Sequence, residues 1–192
     1  MTRTLIVGAA SLALLAACSQ EPGQTEAANT VQDAASAPVG QMSAATMGAN
    51  TVGGFVTALA VSDMYELQAA EIAARRSTNA GVKELAAMIT TDHTASSAKL
   101  KELAPASAPD TPIPTELDQR RKGLIDNLNS ASDADFDRVW LMQQVAAHDE
   151  ALTLLNGFDD NTDAPPLAAL AGEIIPKVTM HRDRARDMLS KM

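Results

Sequence analysis

The sequence predicts an all-α protein, a bundle of four long helices, on three grounds. Apolar residues recur with the helical period in four long stretches after residue 54. Capping and breaking residues separate those stretches, at Asn79, at a proline cluster from Pro105 to Pro114, at Ser132 with Asp133, and from Asp159 to Asp163. The first two stretches, and the last two, are joined by short turns, so each pair reads as an antiparallel hairpin.

The first long helix begins at Phe55, with Leu59, Ser62, Glu66, Ala69, Ile72 and Ala73 on one stripe and Asp63, Arg75 and Arg76 off it. Asn79 then caps a second helix whose stripe is Val82, Leu85, Ile89, His93, Ser96, Leu100 and Leu103, and which is expected to stop before Pro105. Pro105, Pro109, Pro112 and Pro114 cannot continue a helix, and a short polar helix is predicted from Glu116 to Asn129. Ser132 and Asp133 cap the third long helix, with Phe136, Trp140, Gln144, Ala147, His148, Ala151, Leu155 and Phe158 facing inward. Asp163 caps the last, which Pro165 and Pro166 open and whose stripe is Leu167, Leu170, Ile174, Val178, His181, Ala185 and Met188. Pro176 is expected to kink that helix or end it early.

A connection of about 28 residues joins the two hairpins, enough to travel a bundle of roughly 35 Å. That is ferritin-like connectivity, with the short extra helix in the crossover. The alternative is simple up-down packing with the polar helix across one end.

The amino terminus carries a different signal. One basic residue, Arg3, precedes an apolar run from Leu5 to Ala17 that is too short to span a bilayer, and Leu15-Ala16-Ala17-Cys18 ends it on the chain's single cysteine. This resembles a bacterial lipoprotein signal, which implies cleavage before Cys18 and lipid on its thiol and amine. Three acyl chains hold a protein on a membrane essentially permanently, at about 0.8 kcal/mol per buried methylene. Ser19 in place of Asp points to the outer membrane, with the domain facing the periplasm or the cell surface. Residues 18–53 are rich in Ala, Gly, Ser, Thr, Gln and Pro and read as a disordered, lipidated tether spanning roughly 30–35 Å. The expected organisation is therefore signal peptide 1–17, tether 18–53 and bundle 54–190.

Lys and Arg number 15 against 24 Asp and Glu, a formal charge of −9, and no basic cluster is large enough for phosphate binding, so nucleic acid is excluded as a partner. With Cys18 taken by lipid, stability rests on the packed core.

The run from Phe55 to Ala104, the segment Phe136 to Leu155 and the Pro176 to His181 spacing resemble a bacterial family of ferritin-like outer-membrane proteins labelled domain of unknown function 4142. The most specific pieces are Asp92-His93, Ala147-His148 and Pro176 with His181. The resemblance spans about residues 53 to 190 and implies a fold and an envelope location, with no activity attached.

All three histidines, His93, His148 and His181, fall on inward stripes of different helices, and Glu66 holds the matching place on the fourth. Their heights along the bundle agree within roughly one turn or a little more. Such a layer can hold a single zinc, copper or iron ion. Because spacing across helices is looser evidence than a local motif, the sequence favours the plainer reading, a buried polar network that fixes the register of the bundle. Carboxylate-bridged di-iron chemistry needs Glu-x-x-His, and the residues three before the histidines are Thr90, Val145 and Val178. Asp92 is expected to face solvent, and Met64, Met88, Met142 and Met180 are read as core gap fillers of which only a subset can face inward, while Met42 and Met47 are set aside as copper ligands. No phosphate loop or nucleophile elbow occurs. The functional expectation is a noncatalytic bundle that meets an envelope protein or the cell wall, with metal binding as the alternative.

Overall fold

The structure, a computed structural model, describes residues 22–192. The expected signal peptide and Cys18 lie outside these residues. Among the described residues six α-helices follow one another: α1 (Pro22–Ser43), α2 (Val52–Arg76), α3 (Ala80–Ser107), α4 (Gln119–Ser130), α5 (Phe136–Asn156) and α6 (Pro165–Leu189), with a π-helical turn at Ala44–Gly48 after α1. Among the described residues there is no strand, and no helix is long and apolar enough to cross a membrane.

Local chemistry sets the helix starts. The Thr51 hydroxyl accepts from Gly54 N–H at 3.0 Å, the Asn79 side chain from Gly81 N–H at 2.8 Å, and Asp118 from Arg121 N–H at 2.7 Å. Two caps differ from expectation. Asp135, rather than Ser132 or Asp133, directly precedes α5, with the Ser132 hydroxyl accepting from its N–H. Ala164 precedes α6, and the Asn161 side chain, not Asp163, accepts from the turn's N–H groups.

Prolines interrupt less than the sequence suggests. Helix α3 passes Pro105 to reach Ser107, where the missing donor falls in a final turn that is ending anyway. Helix α6 runs through Pro176 to Leu189, and the carbonyl left without its usual donor belongs to Gly172, which has open space around it.

Helix α2 packs on α3 and α5, and α6 packs on both of these as well, so the four long helices close a ring. Two apolar clusters fill it. One joins Phe55, Leu59, Leu100, Leu155, Phe158, Leu167 and Ile174. The other joins Tyr65, Ile72, Leu85, Ile89, Leu128, Phe136 and Trp140. Phe55 and Phe158 stack at 3.9 Å in the first, and the Trp140 indole N–H donates to the Ala69 carbonyl at 3.0 Å in the second. The carboxyl-terminal halves of both α3 and α5 lie in the first cluster, so these two helices run parallel and the segment between them returns along the bundle. Helix α4 in that segment lies against α1, α2 and α5. Met142 and Met180 are exposed rather than in the core.

The expected tether is a correction. From Pro22 onward it is helical, and α1 lies against α4 and α5. Its contact face is small and polar, which is why a search for apolar periodicity misses it. Ser36 and Gly40 are buried there, as is Ala44 in the turn after the helix. Asp33 accepts from Asn127 at 2.7 Å and from Gln143 at 2.6 Å, and Asn29 donates to the Ser130 hydroxyl at 2.9 Å. A Cβ on Gly40 would sit 1.9 Å from Glu150 Oε2, so a side chain there would have to push the Glu150 carboxylate away from its present place.

Candidate metal centre

Between the two apolar clusters lies a polar layer: Ser62, Asp63 and Glu66 from α2, His93 and Ser96 from α3, Gln144 and His148 from α5, and His181 from α6, all buried. Each long helix contributes at mid-length, where apolar clusters above and below exclude water.

One donor nitrogen from each of His93, His148 and His181 lies within 4.8 Å of the other two. The remaining ring nitrogens are all held by acceptors. His93 Nδ1–H donates to Asp63 Oδ1 at 2.8 Å, His148 Nδ1–H to the Gln144 carbonyl at 2.8 Å, and His181 Nε2–H to Asp92 Oδ2 at 3.1 Å. These partners assign the tautomers, since a carbonyl or carboxylate oxygen accepts. His93 Nε2, His148 Nε2 and His181 Nδ1 are thereby left turned toward a common centre, each a lone pair when its ring is neutral. His148 Nε2 and His181 Nδ1 stand 3.4 Å apart, and His93 Nε2 has no hydrogen-bond partner.

Three facing lone pairs repel unless positive charge lies among them. Protons are poorly retained on two of the rings. Burial, with the fields of His93 and His181, holds His148 well below the ordinary imidazole range. Burial and the charge of His93 push His181 down to about 4, against Asp92. A water molecule donates two hydrogen bonds where three acceptors converge. A divalent cation satisfies all three. In a tetrahedral site with bonds of about 2.0–2.1 Å, ligand nitrogens sit about 3.3–3.4 Å apart, and the His148–His181 separation already has that value.

Glu66 occupies a neighbouring place. Its Oε1 lies 3.6 Å from His148 Nδ1, the edge that turns away from the centre, and its Oε2 has no partner. Burial pushes its carboxyl up to about 7, against the pull of His93. The structure thus brings the three histidines together and stands Glu66 beside them. For His93, burial works against the charged form, but the hydrogen bond and charge of Asp63, with Glu66 and Asp92, outweigh it and raise the pKa.

Sequence reasoning missed Asp63 and Asp92. Asp63 was expected off the inward stripe, yet it is fully buried and accepts from both His93 and Ser97. Its position three residues before Glu66, one turn away on the same side, was the available signal. Asp92, expected in solvent, instead receives His181 and Lys177. A carboxylate that holds the outer nitrogen of a ligating histidine fixes its tautomer and raises its basicity.

A larger cavity, about 140 Å³, lies between α1, α4 and α5, but its polar groups are mutually paired. Arg120 and Arg121 bind Glu150, and Tyr65 donates to Gln143.

A family model described as a domain of unknown function (DUF4142) matches residues 37–188. Comparison with curated proteins and with solved structures finds no match. The chain belongs to the DUF4142 family.

Proposed function

We propose that this member of the DUF4142 family is a ferritin-like bundle, held at the outer membrane by lipid on Cys18 and facing the periplasm, that binds one transition-metal ion through His93, His148 and His181. One observation carries the metal reading: three imidazole lone pairs converge while every other ring nitrogen is held by an acceptor. A network that served register alone would satisfy its members, whereas His93 Nε2 and Ser96 Oγ have no protein partner. An all-imidazole donor set suits zinc or copper as well as iron, and it does not supply the bridging carboxylates of di-iron chemistry.

The ferritin-like reading rests on two hairpins joined by a returning segment. The envelope reading rests on Leu15-Ala16-Ala17-Cys18 and Ser19.

Metal-depleted full-length protein, loaded with excess zinc and desalted, is expected to retain one zinc per chain by elemental analysis. The His148→Ala protein is expected to retain none, and equal retention by both would sink the metal reading. Replacement of Cys18 by Ala is expected to move the protein from the membrane to the soluble fraction.

A second role is favoured by Val31, Val39, Met42 and Met47, large apolar side chains exposed on α1 and the turn after it. They offer a docking face to an envelope protein or the cell wall. Photo-crosslinking from position 42 in intact cells is expected to yield one discrete adduct, and the role fails if none forms.

A further inference from the structure

Three nitrogens leave a tetrahedral ion one position short. Glu66 stands on the His148 side, against the edge that turns away from the centre. On the His93 and His181 side, a cavity of about 40 Å³ opens between α3 and α6. Ser96 is one of its walls, buried, with a hydroxyl that has no hydrogen-bond partner. His93 Nε2 is likewise buried and unpartnered. The cavity is thus lined by two residues that each carry an unsatisfied polar atom, one of them a ligand nitrogen.

Charges at the mouth nearly cancel. Lys99 pairs with Glu173, and Lys177 pairs with Asp92 at 3.0 Å. The bound ion would then set the sign of the field inside, and that sign favours an anion. The volume suits a water molecule or an anion of a few atoms, and excludes a larger organic ligand.

We propose that the centre keeps an exchangeable fourth position, reached through the α3–α6 cavity and filled by water or by a small inorganic anion that accepts a hydrogen bond from Ser96. This rests on the metal reading above. It adds that the site is open, in the manner of centres that bind an exogenous ligand, rather than closed by a fourth side chain.

Cobalt(II) and azide are the probes. Full-length protein loaded with one cobalt per chain is expected to show visible absorption bands that shift saturably as azide is added. Ser96→Ala is expected to weaken azide about tenfold, as loss of one hydrogen bond to a charged group does. Ala95→Phe, at an exposed position on the cavity wall, is expected to abolish the shift while cobalt stoichiometry stays at one. Bound cobalt whose bands ignore azide in the unmutated protein would overturn the open position and leave the metal reading standing. Failure to bind cobalt at all would overturn both.

Discussion

His148 Nε2 and His181 Nδ1 face each other at 3.4 Å with both of their protons committed in the opposite direction, to the Gln144 carbonyl and to Asp92. Two neutral imidazoles so arranged present lone pair to lone pair. The contact becomes favourable when a cation bridges it.

The carboxylates behind the ligands are expected to tune affinity without deciding it. Asp63→Ala leaves His93 without its outer acceptor, and Asp92→Ala does the same to His181. Each is expected to weaken zinc by roughly 10- to 100-fold while stoichiometry at saturating metal stays at one. Competition titration against a chromophoric chelator measures this, and unchanged affinity in both variants would remove the proposed support.

Glu66 separates a ligand from a neighbour. Glu66→Gln is expected to keep one zinc per chain, because the side chain lies beside the His148 edge rather than among the converging nitrogens. The same change is expected to stabilise the metal-free protein at pH 8 by roughly 1–3 kcal/mol, since the carboxyl, raised to about 7, must there ionise while buried. Denaturant unfolding at pH 8 reads the second effect, and destabilisation there would contradict it.

Metal-free protein is expected to lose stability in acid, with a definite slope. His148 and His181 have folded pKa values below that of unfolded imidazole, so their contribution is complete above about pH 6.5 and is lost as pH falls. Glu66 and His93 are raised, so their contributions are present at low pH and are lost as pH rises through their folded values. As pH falls below about 6 the unfolded chain takes up protons on all three imidazoles, whereas the folded site resists them at His148 and His181. Each proton that the unfolded chain binds in excess of the folded site lowers stability by about 1.4 kcal/mol per pH unit. His181→Gln removes one proton from the unfolded count and is expected to flatten the dependence, measured by urea unfolding at about pH 6 and about pH 5.

Docking of α1 depends on the absence of a side chain at Gly40, and Gly40→Leu is expected to dislodge it from Glu150 and Arg120. Limited proteolysis should then cut within Pro22–Ser43 at least several-fold faster, with zinc stoichiometry unchanged. Equal cleavage rates would argue against the packed position of this helix.

Much of the bundle was legible because its signals are large and periodic. Phe55, Leu85, Trp140 and Leu167 announce inward faces, and Asn79 announces a start. Helix α1 was illegible for the opposite reason. Its buried face is made of Ser36 and Gly40, continued by Ala44 in the turn after it, while Val31 and Met42 point outward, so hydrophobic patterning reads the wrong side. The three histidines could be placed on inward stripes at about one level by counting residues, but the direction of each side chain within the layer could not, and it is that direction that sets Glu66 beside the cluster and brings Asp63 and Asp92 behind it.

X-ray absorption at the zinc edge, on the loaded full-length protein, tests the central claim most directly. Three imidazole nitrogens at about 2.0–2.1 Å, with one oxygen completing the shell, is the result expected. A shell of oxygens without imidazole scattering would contradict the assignment of His93, His148 and His181 as the ligands.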